Sequence, residues 1–412
     1  MENKSLAKQA WTVLLAGLGV NLTIGVLYSW SVIKKSLVAD LNWSNSEASL
    51  PYTVAILVWA LTLLVAGKLQ DKYGPKKIVI LGTIFTALGL ILSSFTTNPA
   101  IIVLSYGIIT GGGIGFAYAS VTPPALKWFH PAKKGMVTGI VVSGMGLASL
   151  YIAPITTALI SSFGISRTFL ILGIFILIVG TGIAQLIKNP PEGYVPEEPK
   201  NMKNSNSPKS KPVADFDWRG IIKTKEFYFL WIMFALSSSA GLMIIGNLAA
   251  ISLEQASWDK GFFLVGLLAI FNALGRIGAG LLSDKIGRIR TLTLVLAIQG
   301  INMLLFASYV NPIGITIGTM LAGIGYGSLL SLFPSLTADF YGVKNFGGNY
   351  GVLYTAWGIS GTIGPIMAAV IVDSTGSYNL AYLISAGLLI FAIGISLITK
   401  NPQDSKRINQ AA

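Results

Sequence analysis

Runs of roughly 20 predominantly apolar residues recur along the whole chain, and that recurrence limits the architecture more than any other feature. They cover about 9–33, 46–67, 77–96, 100–128, 135–161 and 167–187, then 226–252, 260–282, 291–309, 312–335, 346–371 and 380–399. Each is long enough to cross a hydrocarbon layer of about 30 Å as a helix. No water reaches that layer, so each segment must satisfy its own backbone groups, which a helix does. A single anchor or a signal peptide is excluded because the runs repeat twelve times. Charged residues make up 11% of the chain, against about 25% in an average soluble domain. The expected fold is an all-α membrane protein with twelve transmembrane helices in two pseudo-symmetric six-helix bundles.

Between the sixth and seventh runs the composition changes abruptly. Residues 188–225 hold Pro190-Pro191, Pro196 and Pro199 and then a polar Asn/Ser/Lys stretch, as expected of a flexible linker. The expected organisation is a first bundle over 1–187, a cytoplasmic linker over 188–225, a second bundle over 226–400 and a cytoplasmic tail over 401–412.

The net charge of +13 could suggest nucleic acid, but the bases lie between apolar runs and form no single stripe. With both termini cytoplasmic, 24 of the 29 Lys and Arg residues face the cytoplasm; Lys34, Lys35, Arg167 and Lys260 lie outside, and Arg276 lies within a run. This is the positive-inside bias of a protein of the cell (inner) membrane, with some attraction to anionic lipid heads. The chain has no cysteine and one histidine, His130, in a basic loop. Disulfide and thiolate chemistry are excluded, and neither a metal-ligand cluster nor a pair of core acids is present to suggest an enzyme. No cofactor is expected.

The halves repeat one another. Gly67-Lys-Leu-Gln-Asp71-Lys72-Tyr-Gly74-Pro-Lys76-Lys77 follows the second run, and Gly280-Leu-Leu-Ser-Asp284-Lys285-Ile-Gly287-Arg288-Ile-Arg290 follows the eighth. Gly113-Ile-Gly115 with Pro124 in run four matches Gly323-Ile-Gly325 with Pro334 in run ten, and Ala153-Pro154-Ile155 matches Gly364-Pro365-Ile366. Duplicated bundles suit alternating access around a midplane site. Small residues are dense in runs four, five and eleven. Gly111-Gly112-Gly113 and Gly115 line run four, and Gly135, Gly139, Gly144 and Gly146 line run five. Such stripes let backbones approach closely, as either a sliding interface between halves or static packing.

A Gly-X-Leu-X-Asp-Lys/Arg-X-Gly-X-Lys/Arg loop present twice in a twelve-helix chain resembles the major facilitator superfamily. The resemblance implies that these loops lock one state, with an acid capping a neighbouring helix end and pairing with a base. The residues so implicated are Asp71 and Lys72 in the first loop and Asp284, Lys285 and Arg288 in the second. An acid does favour a helix N-terminus, and exposed ion pairs are remade at low cost.

Arg276 lies near the middle of run eight, the one Asp, Glu, Lys or Arg well inside any run. A centrally placed Arg costs roughly 2.5–3.5 kcal/mol on insertion scales, and it keeps its proton. A substrate anion is the simplest partner, since the guanidinium fork matches a carboxylate. Asn272, four residues earlier, shares its helix face. Tyr118 in run four and Tyr326 in run ten each combine a ring with a hydroxyl. Leu27, Tyr28, Tyr354, Trp357 and Ser360 are further candidates for the pocket wall.

Asn-X-X-X-Arg in run eight, Leu332-Phe333-Pro334-Ser335, Asn349-Tyr350-Gly351 and Lys127-Trp128-Phe129-His130-Pro131 together resemble the bacterial oxalate–formate antiporter and monocarboxylate transporter branch. The resemblance implies a small carboxylate substrate, with Arg276 at the substrate-binding arginine and Tyr118 and Tyr326 at aromatic pocket positions. Two departures stand out. Trp357 replaces a lysine of the oxalate transporter, leaving one core cation and suiting a monoanion. Asn272 replaces an aspartate of animal monocarboxylate carriers, removing the obvious proton acceptor. The expected function is transport of a lactate- or pyruvate-type monocarboxylate by a monomer, in symport with protons. The alternative is exchange of the oxalate–formate kind.

Overall fold

A computed structural model describes residues 2–43, 45–196, 215–258 and 261–402. The centre of the linker (197–214), the end of the tail (403–412) and Lys260 lie outside the described residues, as do the side chains of Lys35, Pro365 and Ile366. The described residues form helices and connecting turns, with no strand among them.

The helices long and apolar enough to cross a membrane are α1 Leu6–Lys34, α2 Leu50–Tyr73, α3 Pro75–Ser93 and α4 Pro99–Trp128. The stretch Pro131–Ala184 holds two more, α5 (131–163) and α6 (165–184). Gly164 separates them, with φ 75° and ψ 172° inside otherwise helical backbone. The second set is α7 Lys225–Leu248, α8 Phe263–Ile286, α9 Arg288–Phe306, α10 Pro312–Tyr341, α11 Phe346–Thr375 and α12 Asn379–Ile398.

The helix starts follow local chemistry. Asn98 and Asn311 accept hydrogen bonds from Ala100 N (3.0 Å) and Gly314 N (2.9 Å), and Pro99 and Pro312 come next, where a missing N–H does no harm. The helices α2 and α8 run on through the repeated Asp-Lys motif, beyond the ends of the apolar runs. They stop at Gly74 and Gly287, whose φ values are 87° and 98°. Only glycine adopts that backbone without strain. The two motifs therefore share one local geometry.

The chain divides into two compact units. The first comprises 1–130, 140–198 and 344–352, and the second 131–139, 199–343 and 353–412. Within the first unit the glycine stripe of α4 lies against α2 and α3. A Cβ at Gly111 would stand 2.6 Å from Ala55 O, at Gly113 2.3 Å from Thr86 N, and at Gly115 1.9 Å from Thr62 Oγ1. This stripe packs within one unit, and the sliding-interface reading is corrected for it. Within the second unit α8 and α10 approach equally closely. A Cβ at Gly275 would stand 2.4 Å from Ile324 O, and one at Gly327 2.0 Å from Asn272 O.

Gly327→Ala must therefore push α8 away from α10 at Asn272, because backbone cannot yield as a side chain can. The expected result is a lower melting temperature in detergent and loss of transport. Gly266→Ala, where nothing lies within 4 Å, should leave both unchanged.

Candidate functional site

Arg276 is 1% exposed, and it and Lys134 are the basic side chains that are buried among the described residues. Its Nε donates to Asn272 Oδ1 at 2.8 Å, one helical turn back. That bond holds the guanidinium plane in one orientation. Tight backbone packing supports it on two sides. A Cβ at Gly139 would stand 2.5 Å from Arg276 O, and Gly327 leaves room for Asn272 O. A permanently charged, oriented guanidinium in a low-dielectric region can bind a carboxylate strongly.

An aromatic cluster belongs to the same unit. Trp357 Nε1 donates to Tyr326 Oη at 2.7 Å, and the Trp357 ring lies 5.0 Å from that of Tyr354. Phe234 of α7 stacks on Phe333 at 4.2 Å and meets Tyr354 at 6.0 Å. The sequence singled out Tyr326, Tyr354 and Trp357 separately, and the fold brings them together. Ser360 is buried, with its Oγ donating to Trp357 O at 2.6 Å, so its proton is used within its own helix.

Tyr118, Leu27 and Tyr28 belong to the first unit. Tyr118 is buried and meets Trp59 edge-on at 5.4 Å. Leu27 and Tyr28 sit on a 3₁₀ turn, Gly25–Ser29, within α1. Gly25 permits that turn to lie against α5, since a Cβ there would stand 2.2 Å from Ala148 Cβ. Leu27 is buried, while Tyr28 is 39% exposed.

The repeated motifs differ in their charges. In the second unit Asp284 accepts hydrogen bonds from Gly135 N (2.9 Å) and Met136 N (2.8 Å), at the start of the helix that opens with Lys134, and it is paired with Arg288. Arg288 Nε also donates to Asp339 Oδ2 at 2.9 Å, and Lys134 Nζ lies 2.9 Å from Asp339 Oδ1. Lys134 Nζ further donates to Ala338 O at 3.1 Å, near the C-terminal end of α10. In the first unit Asp71 accepts from Gly348 N at 3.0 Å and from Gln70 Nε2 at 2.5 Å. Lys72 and Lys285 are exposed, Lys72 lying over the Tyr73 ring at 5.1 Å.

Asp339 was not singled out by the sequence reading. Its signal was faint: an acid in the last turn of α10, beyond the apolar run, with its partners distant in sequence. Among the described residues no group of three or more His, Cys, Asp or Glu could hold a metal ion.

The family model described as Major Facilitator Superfamily matches residues 10–314 and 250–412. The chain is 30% identical over 363 residues to the uncharacterized MFS-type transporter YhjX of Escherichia coli (strain K12), covering 87% of each. It is 25% identical to the oxalate:formate antiporter of Oxalobacter formigenes, over 98% of this chain and 94% of that one. It is 24% identical to monocarboxylate transporter 13 of Bos taurus, over 96% and 92%. A crystal structure of the E. coli fucose:proton symporter superposes with a TM-score of 0.72 at 14% identity, over 94% of this chain and 98% of that one.

Proposed function

The chain belongs to the major facilitator superfamily and is a multi-pass membrane transporter of that type, not an enzyme, and from that premise we propose that it carries a small monocarboxylate anion of the lactate or pyruvate kind by alternating access, in symport with protons. The observation that carries this reading is Arg276: a buried guanidinium, held by Asn272 at 2.8 Å. Its fixed charge selects an anion, and its planar fork selects a carboxylate. Relatives named as an oxalate:formate antiporter and a monocarboxylate transporter favour the same substrate class. In this reading Asn272 orients Arg276, while Tyr326, Tyr354, Trp357 and Ser360 wall the substrate within the second unit; Tyr118, Leu27 and Tyr28 are the candidates of the first unit. A single core cation balances one carboxylate, and a proton moving with it keeps the cycle electroneutral.

The acids of the two motifs are assigned to gating. Asp284 with Arg288, and Asp71 in its own unit, hold helix starts by their backbone N–H groups, and breaking those bonds frees the helices. Lys72 and Lys285 contribute exposed positive charge beside them. Both termini are placed on the cytoplasmic side of the cell (inner) membrane, and the working unit is a monomer among anionic lipids.

Exchange of two carboxylates is the second reading, favoured by the antiporter relative. Proteoliposomes separate the two. With an alkaline interior and no internal carboxylate, labelled lactate is expected to accumulate above the external concentration and to stop doing so when a protonophore collapses the gradient. Uptake that strictly requires an internal carboxylate would overturn symport and establish exchange.

A further inference from the structure

Three consecutive serines, Ser237, Ser238 and Ser239, lie in α7, all buried. Two are accounted for by their own helix. Ser237 Oγ donates to Met233 O at 2.6 Å, and Ser239 Oγ donates to Ala235 O at 2.8 Å. Ser238 is 0% exposed, and its Oγ has no hydrogen-bond partner among the described residues. A buried hydroxyl without a partner forfeits free energy that its neighbours recover by bonding one turn back.

The helix face explains where this hydroxyl stands. Phe234, Ser238 and Gly241 are spaced i, i+4 and i+7, along one stripe of α7. Phe234 meets Phe333 and Tyr354. At Gly241 a Cβ would stand 2.7 Å from Tyr326 Cδ2, so the Tyr326 ring lies against that glycine. Ser238 therefore sits between the two aromatic contacts, on the stripe facing the Tyr326–Trp357–Tyr354 cluster. Helices α7, α8 and α10 all pack against one another, so this hydroxyl and Arg276 stand on two neighbouring helices of one unit.

We propose that Ser238 is a specificity-determining residue that hydrogen-bonds the 2-hydroxyl or 2-oxo group of the substrate while Arg276 holds its carboxylate; this rests on the monocarboxylate reading above. A serine hydroxyl both donates and accepts, so it can serve either group. An unsubstituted acid of the same length leaves it unpaired, and a site built to bond a polar group discriminates against analogues lacking it.

The test compares initial uptake of lactate, pyruvate and propionate in proteoliposomes for wild type, Ser238→Ala, Ser238→Thr and Ser237→Ala. Wild type is expected to favour lactate and pyruvate over propionate by about tenfold or more, of the order of one buried hydrogen bond. Ser238→Ala should lose that preference, with lactate and pyruvate uptake falling about tenfold and propionate uptake unchanged. Ser238→Thr keeps the hydroxyl and should keep the ranking of the three acids, and Ser237→Ala should resemble wild type. Equal loss for all three acids in Ser238→Ala, no change in any, or a wild type indifferent to the 2-substituent overturns the assignment while leaving the monocarboxylate reading intact. A wild type that carries none of the three acids overturns the monocarboxylate reading first, and Ser238 with it.

Discussion

Arg276→Ala is expected to reduce lactate uptake in proteoliposomes by at least about a hundredfold, the scale of a lost charge-assisted contact of nearly 3 kcal/mol. The same substitution should not lower thermal stability in detergent. Removing a buried guanidinium relieves its desolvation penalty, and Asn272, which accepts its Nε–H at 2.8 Å, carries no charge of its own. Loss of uptake with an unchanged or raised melting temperature marks a binding residue. Loss of both marks a structural one, and wild-type affinity in the alanine variant removes Arg276 from the site. Arg276→Lys separates charge from geometry. An ammonium restores the positive charge, but it lacks both the planar fork and an Nε to meet Asn272. Uptake by the lysine variant should be closer to that of alanine than to wild type.

The second large effect is expected at Asp284. Its carboxylate accepts from Gly135 N and Met136 N and pairs with Arg288, and it is largely shielded from solvent. Asp284→Asn keeps one acceptor oxygen but removes the charge. Charge-assisted hydrogen bonds contribute about 1.5–3 kcal/mol each, so the start of α5 should open more often. The chain contains no cysteine, so a single cysteine at Met136 reports alone. Its labelling by a membrane-impermeant maleimide should accelerate at least about tenfold in the Asp284→Asn background, about 1.4 kcal/mol of lost protection. Asp339→Asn should give a smaller acceleration, because Asp284 would still hold the backbone N–H groups directly. An unchanged labelling rate in Asp284→Asn would remove the gating role from this contact.

The two motifs are alike in sequence and unlike in their partners. Asp284 belongs to a set of four charged side chains with Arg288, Asp339 and Lys134, whereas Asp71 holds Gly348 N with help from Gln70. The Gly-Asp-Lys-Gly spacing was legible because a helix end and a positive-φ glycine are local. The charge set was not. Lys134 lies in the first turn of α5 and Asp339 in the last turn of α10, and each alone looks like an ordinary solvated charge. The same limit applies to the serines of α7. Composition makes Ser237, Ser238 and Ser239 equivalent, and only the bonds of the outer two to their own helix set the middle one apart.

The twelve apolar runs, their duplication and the position of the one core cation are legible in the order of residues alone. A hydrocarbon layer obliges each apolar run to close its own backbone bonds, and a charge within a run is conspicuous in the chain itself. Asn272 was legible for the same reason, since i and i+4 share a helix face. The packing of the folded chain sets which long-range neighbours each side chain meets. It showed that the α4 glycines pack within one unit, that Trp357 and Tyr326 share a hydrogen bond, and that Lys134 and Arg288 converge on Asp339. These contacts depend on how closely helices distant in the chain approach and rotate. That is set by shape complementarity at many glycines and rings together, and no local pattern of residues records it.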